Sequence, residues 1–390
     1  MTTNLRSSEP DFIFDADSHL SEPPDVWTAR LPAKWLDAAP KVIADPKSST
    51  PKWHIGSHLV NGRDFSHAGW KEFYPSTPPT LKDADPACWD AKSRLDRLDE
   101  YGIAQQVLYP NLLGFHYYAF SDYEPDLRLA CFQAYNDFQT EFCEADPTRL
   151  IPIMNLPFWD VDLSIAEMER CVELGHKGVN FGWQFEKLGL PRVRDPHWDP
   201  LLSRVQELEL PMSFHIGCNS MSAEAIQGLL TPPLSTDLVQ NVALLFLTNA
   251  GCISELIMSG LCERYPRLNF ISVESGFGFV PYLLQALDWQ FMNTTARAEH
   301  PKWLLPSEYF RRQVYATIWY ERGIERQIDL YPHNVMFSSD FPHPTSLSPG
   351  AGTTAMSARD TSRANLAEID PDVRAAVLCG TARQLYHLTD

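Results

Sequence analysis

From Cys88 onward the chain alternates two apolar patterns. Trp89, Leu95, Leu98 and Tyr101 recur at helical spacing and stop at Gly102, a residue that accepts the left-handed conformation ending many helices. Residues 106–110 then form a short, continuous apolar run that predicts a strand. The alternation repeats. Helix 127–145 precedes strand 150–154, and helix 161–174, closed by Gly175, precedes strand 178–181. Helix 200–208 precedes strand 210–215, helical segments across 237–265 precede strand 268–274, and helix 279–292 precedes strand 313–317. Helix 321–330 precedes strand 334–339, and helix 372–388 closes the chain. The apolar run 12–14 supplies one more strand at the start. Short apolar strands between helices predict a parallel sheet buried on both faces. Eight such units predict an α/β protein with a (β/α)8 TIM barrel as a single domain over 1–390. An open doubly wound sheet is the competitor, but no Gly-x-Gly-x-x-Gly follows the first strand.

Residues 25–86 break the pattern. They are rich in Pro, Trp and His, with Trp27, Trp35, Trp53, His54, His58, His67 and Trp70 at no regular spacing. The aromatic content argues against disorder. A long irregular excursion after the first strand, lid-like and near the barrel rim, is the expectation.

Composition narrows the partners. The 390 residues carry a net charge of -18, a field that repels nucleic acid and anionic membranes and leaves a small-molecule substrate. The eight cysteines form no Cys-x-x-Cys pair, which predicts reduced thiols and a cytoplasmic location. Residues 1–10 are polar, without the apolar core of a secretory leader. The most apolar window, 242–261, contains Asn249, Gly251, Glu255 and Gly260. It predicts a buried helix pair rather than a membrane span, and its excess apolar surface suggests a homo-oligomer.

Polar residues close several otherwise apolar strands. Asp17 and His19 end the first, His215 the fifth, Glu274 the sixth and Asp340 the eighth, with His343 three residues on. Barrels place their chemistry at these C-terminal strand ends. Imidazoles and carboxylates converging on one rim predict a metal site. Two His with two or three carboxylates form a hard donor set, for which zinc is expected and manganese or iron also fit, as one or two ions.

The chain resembles the amidohydrolase superfamily, and within it the amidohydrolase-related group that includes aminocarboxymuconate semialdehyde, resorcylate and carboxyvanillate decarboxylases. The resemblance rests on Asp17-Ser-His19 with Glu22-Pro-Pro, on 196–215, on 265–281, and on Ser338-Ser-Asp-Phe-Pro-His343. It implies a metal-dependent barrel with Asp17, His19, His215 and Asp340 as ligands, Asp17 standing where relatives carry His or Glu. The group's decarboxylases place a catalytic His after the sixth strand, where this chain has Glu274. Hydrolysis of an amide, ester, thioester or activated C–C bond is therefore the expectation, and non-oxidative decarboxylation the alternative. A metal-activated water would attack, Asp340 would shuttle its proton, and Glu274 or His343 would orient substrate or share a second metal. Trp53, His116, Tyr117 and Trp183 are expected to line an aromatic pocket, with Arg63 positioned to hold a carboxylate.

Overall fold

The computed structural model describes residues 12–45, 50–61, 65–218 and 234–388. The first strand, β1 (Ile13–Leu20), is longer than the expected run, because Asp15 to His19 stay within it. It pairs in parallel with β5 (Ile103–Pro110), with a register shift between Asp15 and Ser18. Strand β5 pairs with β6 (Leu150–Pro152), and β7 (Met154–Asn155) begins two residues later and pairs with β8 (Val179–Phe181). The stretch 150–155 thus bonds to one neighbour on each side. The ladder continues in parallel through β9 (Met212–His215), β10 (Phe270–Val273), β11 (Val314–Ile318) and β12 (Val335–Phe337). Beyond β12, Asp340 N–H donates to the Asp17 carbonyl at 2.9 Å, and His19 N–H donates to the Phe341 carbonyl at 2.6 Å. These are the eight strand positions of a TIM barrel.

Period-two alternation along the strands fills its interior. Phe14 and Ala16, Val107 and Tyr109, Ile151 and Ile153, and Ile271 and Val273 share one buried cluster. The C-terminal segment joins it, with Tyr386 stacked on Phe14 at 5.8 Å. A larger apolar layer lies between the strands and the surrounding helices. Each fully buried Phe or Leu there contributes roughly 1.5–3 kcal/mol. Helix termini follow local chemistry. The Asp90 and Asp160 side chains cap α1 (Ala91–Tyr101) and α3 (Val161–Glu173), and Pro125 opens α2 (Pro125–Cys143).

Two expectations need correction. The excursion is not wholly irregular, since β2 (Lys41–Ile43), β3 (Lys52–Ile55) and β4 (His58–Val60) form a three-stranded antiparallel sheet. These strands are too short for period-two patterning to register. Trp53 and Ile55 face inward, and Trp53 packs edge-on against Trp27 at 5.1 Å. The apolar stretch near 242–261 is also only half buried. Helix α5 (Ser235–Phe246) buries only Leu238 and leaves Val239 71% and Leu244 55% exposed. Helix α6 (Asn249–Met258) is buried through Cys252, Ile253, Leu256 and Ile257. Its polar residues tie it to the barrel. Asn249 donates to the Phe214 carbonyl, and Glu255 accepts from Arg192 and Arg194.

Candidate metal centre

Asp17, His19, His215, Glu274, Asp340 and His343 come together at the C-terminal strand ends, all buried. Their backbones are held unusually. Glu274 and Asp340 adopt φ of 56° and 57°, the left-handed region that side-chain-bearing residues rarely occupy and that clusters at functional sites. At Glu274 the strained turn is fastened by its N–H donating to Thr317 Oγ1.

Two of the imidazoles, His19 and His215, point Nδ1 at the backbone. His19 Nδ1 donates to the Pro110 carbonyl at 3.3 Å, and His215 Nδ1 to the Ile216 carbonyl at 2.9 Å. Burial, reinforced by His343 and His215, pushes His19 well down, so its ring is neutral. Burial opposes charge on His215, but Cys218 and Asp17 outweigh it and raise the ring well above its ordinary value, so without a cation its Nε2–H donates to the bare His19 Nε2 at 2.9 Å. A bound divalent ion would displace that proton and take both lone pairs. Asp17 Oδ1 stands 3.6 Å from His19 Nε2 and 3.5 Å from His215 Nε2. Asp340 Oδ1 stands 3.8 Å from His19 Nε2, and Glu274 Oε2 3.4 Å from His215 Nε2. Both Asp17 carboxylate oxygens and Asp340 Oδ1 are buried without a hydrogen-bond donor among the described residues. Donors bound to one ion at about 2.1 Å lie about 3–3.5 Å from each other. Converging imidazole nitrogens with buried carboxylate oxygens that no described residue donates to fit a divalent cation.

Asp15 supports the seam from one step deeper. It accepts from Ser339 N–H at 2.7 Å, from Ser339 Oγ, and from Gln106 Nε2 at 2.7 Å. Gln106 is held in turn by Arg94 Nη1 at 2.9 Å, and Arg94 Nη2 donates to the His19 carbonyl at 2.7 Å. Thr345 Oγ1 donates to Asp340 Oδ2 at 2.6 Å, leaving Oδ1 turned to the cluster.

His343 is differently placed. Its Nε2 donates to Asn111 Oδ1 at 2.9 Å, while the Asn111 amide nitrogen donates to the Leu20 carbonyl and fixes the acceptor. Its Nδ1 lies 2.7 Å from Asp340 Oδ1, out of line with the ring N–H, and 3.9 Å from Glu274 Oε1. Burial opposes its charge, but the Asp340 and Glu274 carboxylates outweigh burial and lift it to about 10. The ring stacks on His19 at 3.8 Å. Glu274 is pushed to about 7, by burial first and then by Asp340.

An aromatic wall stands over the cluster. Phe115 packs against His19, His215 and His343 at 5.9, 5.5 and 5.8 Å, and Phe65 stacks on Phe115 at 4.9 Å. Cys218 completes this small cluster. It is pressed so close to Gly114 that a Cβ there would meet its Sγ at 2.7 Å.

The residues expected to line a pocket scatter. His116 lies beside Phe65 at 6.1 Å with Nε2 unpartnered among the described residues, its ring kept neutral by burial at about 4. Tyr117 packs among Phe132, Phe158 and Trp159, away from the cluster. Trp53 sits on Trp27, Trp183 lies over Gly251, and Arg63 falls outside the described residues. Phe65, Asn111 and Thr345 were not singled out from the sequence, and Ser339 entered only as part of the 338–343 motif. Only Asn111, a polar residue directly after a strand, carried a usable hint.

The family described as amidohydrolase matches residues 15–388. A gamma-resorcylate decarboxylase from Rhizobium sp. (strain MTP-10005) is 27% identical over 263 residues, 64% of this chain and 76% of its own. An amidohydrolase structure from Mycobacterium avium subsp. paratuberculosis K-10 matches with a TM-score of 0.74 at 20% identity, over 96% of this chain and 99% of that one. A dihydroxybenzoic acid decarboxylase from Polaromonas sp. JS666, solved with manganese and the inhibitor 2-nitroresorcinol, matches with a TM-score of 0.60 at 20% identity, over 97% of each chain.

Proposed function

The chain belongs to the amidohydrolase family of metal-dependent enzymes, and from that membership we propose that it is a non-oxidative decarboxylase of an aromatic or unsaturated carboxylic acid. The observation that carries the reading is His343, an imidazole hydrogen-bonded to Asn111 through Nε2 and facing the Asp340 and Glu274 carboxylates through Nδ1. The sequence favours hydrolysis because Glu274, not a histidine, follows the sixth strand. His343, reaching in from the eighth, removes that objection. The decarboxylases among the relatives support the same choice.

Asp17, His19, His215 and Asp340 would hold the metal, with Glu274 at the edge of the set. The donor set suits manganese or zinc, and the Polaromonas relative holds manganese. A bound divalent ion supplies the positive charge that fixes the substrate carboxylate and stabilises negative charge on its neighbouring oxygen. The remaining work falls to the chain. Phe65 and Phe115 stack against a flat substrate and exclude water. His343 Nδ1–H delivers a proton to the ring carbon bearing the carboxylate. The C–C bond then breaks, its electron pair restores the unsaturated system, and CO2 leaves. Glu274 and Asn111 keep the imidazole oriented and Glu274 favours its charged form. The test is a screen of hydroxybenzoic and unsaturated acids for CO2 release, beside aromatic esters, amides and thioesters for acid release. CO2 release lost in His343→Gln at unchanged metal content supports the reading. Ester, amide or thioester turnover alone overturns it.

Hydrolysis remains a second reading on one observation. Glu274 Oε2 stands 3.4 Å from His215 Nε2, at the edge of the metal set, where a carboxylate suits a general base.

A further inference from the structure

Glu22 has no role in the chemistry above and stands outside the metal cluster. It lies just past the end of β1 and is only 4% exposed. Pro23 and Pro24 follow it and stiffen the backbone there. Strands β1 and β5 end side by side, with Leu20 opposite Pro110. Across that join Glu22 Oε1 accepts two consecutive N–H groups, Asn111 at 3.1 Å and Leu112 at 2.8 Å. One acidic side chain thus fastens the turn that follows β5.

Two parts of the site hang from that turn. Asn111 Oδ1 accepts from His343 Nε2 at 2.9 Å. Phe115, at the end of the short helix Leu112–Phe115, packs against His19, His215 and His343. The ring torsion of a histidine is broad, so a partner outside the ring must hold its angle. Asn111 is that partner. Its amide is oriented by Nδ2 donating to the Leu20 carbonyl at 3.0 Å, and its backbone is held by Glu22. Loss of the Glu22 acceptor would free the turn, withdraw Asn111 Oδ1 from the ring and let Nδ1 swing away from Asp340 and Glu274.

We infer that Glu22 is a positioning residue for His343: Glu22 Oε1, through the N–H groups of Asn111 and Leu112, holds the Asn111 amide against His343 Nε2 and so keeps Nδ1 turned to the reacting side. The placement of the ring follows from these hydrogen bonds alone. Its consequence for turnover rests on the decarboxylase reading.

The test compares Glu22→Gln, which keeps an acceptor oxygen in place, with Glu22→Met, which has similar length and no acceptor, and with Glu22→Asp, which withdraws the acceptor by one methylene. Each is loaded with zinc, isotope-labelled at the histidine nitrogens and read by proton–nitrogen correlation spectroscopy. The His343 Nε2–H signal is identified by its absence in His343→Gln. Wild type and Glu22→Gln should show it. Glu22→Met and Glu22→Asp should lose it to exchange with water at unchanged zinc content, and Glu22→Asp decides alone where Glu22→Met does not load zinc. In turnover, kcat for CO2 release should fall about tenfold to a hundredfold in the two impaired variants, the cost of a misplaced group, with KM changed less than about threefold and most of kcat kept in Glu22→Gln. A signal missing from wild type overturns the inference. So does a signal that persists in the zinc-loaded Met and Asp variants, or Glu22→Gln as impaired as they are. A wild type that releases no CO2 yet gives the expected pattern of signals sinks the decarboxylase reading and upholds the positioning role.

Discussion

The backbone N–H of Asp340 donates to the carbonyl of Asp17 at 2.9 Å, so two of the three residues that carry cluster carboxylates also join the last barrel strand to the first. Closing the fold and assembling the site are one event. The side chains pay for it, with both Asp17 oxygens and Asp340 Oδ1 left without donors among the described residues. A cation relieves that arrangement, and this leads to the first prediction. Purified protein should hold close to one divalent ion per chain, and His215→Ala should lose most of it by elemental analysis. Chelation of the wild type should lower its stability by about 2–3 kcal/mol, as for a ligand at about a hundred times its Kd. Full metal retention in His215→Ala would remove His215 from the ligand set.

Asp15 is a positioning residue beneath the seam. Asp15→Ala would leave the Ser339 N–H and the Gln106 amide unpaired in the interior. Each orphaned buried group costs roughly 1–3 kcal/mol, so a loss of about 2–6 kcal/mol is expected in denaturant unfolding. Metal affinity should fall with it, since Ser339 adjoins Asp340. Unchanged stability with weakened metal binding would assign Asp15 a direct role at the ion instead.

Glu274 holds a left-handed backbone at φ 56°. Such strain costs on the order of 1–3 kcal/mol, while glycine gives back about 0.4–1 kcal/mol through the unfolded chain. Glu274→Gly should leave the metal-free protein about 1 kcal/mol more stable, or more, while turnover is lost. A destabilised variant would show that the Glu274 side chain holds the fold as well as the site.

His343 makes the metal-free protein sensitive to alkali. Its folded value, about 10, lies above the ordinary 6.5, so its charged form is favoured by folding. That contribution is fully present below pH 6.5 and is lost as pH rises through about 10. Urea midpoints of the metal-free protein should therefore fall across this window, and His343→Gln should flatten the slope. An identical slope in the variant would locate the titration elsewhere.

We propose a homo-oligomer from two surfaces. Helix α5 exposes Val239 and Leu244, and α7 (Val280–Met292) exposes Tyr282 at 78%, Trp289 at 68% and Met292 at 53%, spaced along one helical face. Light scattering should give at least a dimer, and Trp289→Glu should shift it toward monomer. A wild type that stays monomeric over a hundredfold concentration range would end the proposal.

Much of this architecture was legible because it is repetitive. Eight apolar strands between helices announce a barrel, and a barrel rim turns isolated residues such as His215 and Asp340 into one cluster. The excursion sheet was not legible, since three strands of three or four residues carry no measurable period. The depth of β1 was missed because Asp15, Ala16 and Asp17 do not look like strand interior, yet the barrel buries them with bonds on both sides. The aromatic wall was half legible. Phe115 follows a strand, whereas Phe65 arrives from the excursion, through tertiary packing that local sequence does not encode. His343 was visible from the start, but only the structure shows it 3.9 Å from Glu274, where it offsets the histidine absent after the sixth strand.

The most direct test of the decarboxylase assignment is to react the metal-loaded protein with a panel of hydroxybenzoic acids in D2O and read the products by mass spectrometry. The account predicts CO2 with an equal amount of arene carrying one deuterium at the vacated carbon, and loss of both in His343→Gln. No CO2 from any acid, together with solvent oxygen entering the products of esters, amides or thioesters, would contradict it.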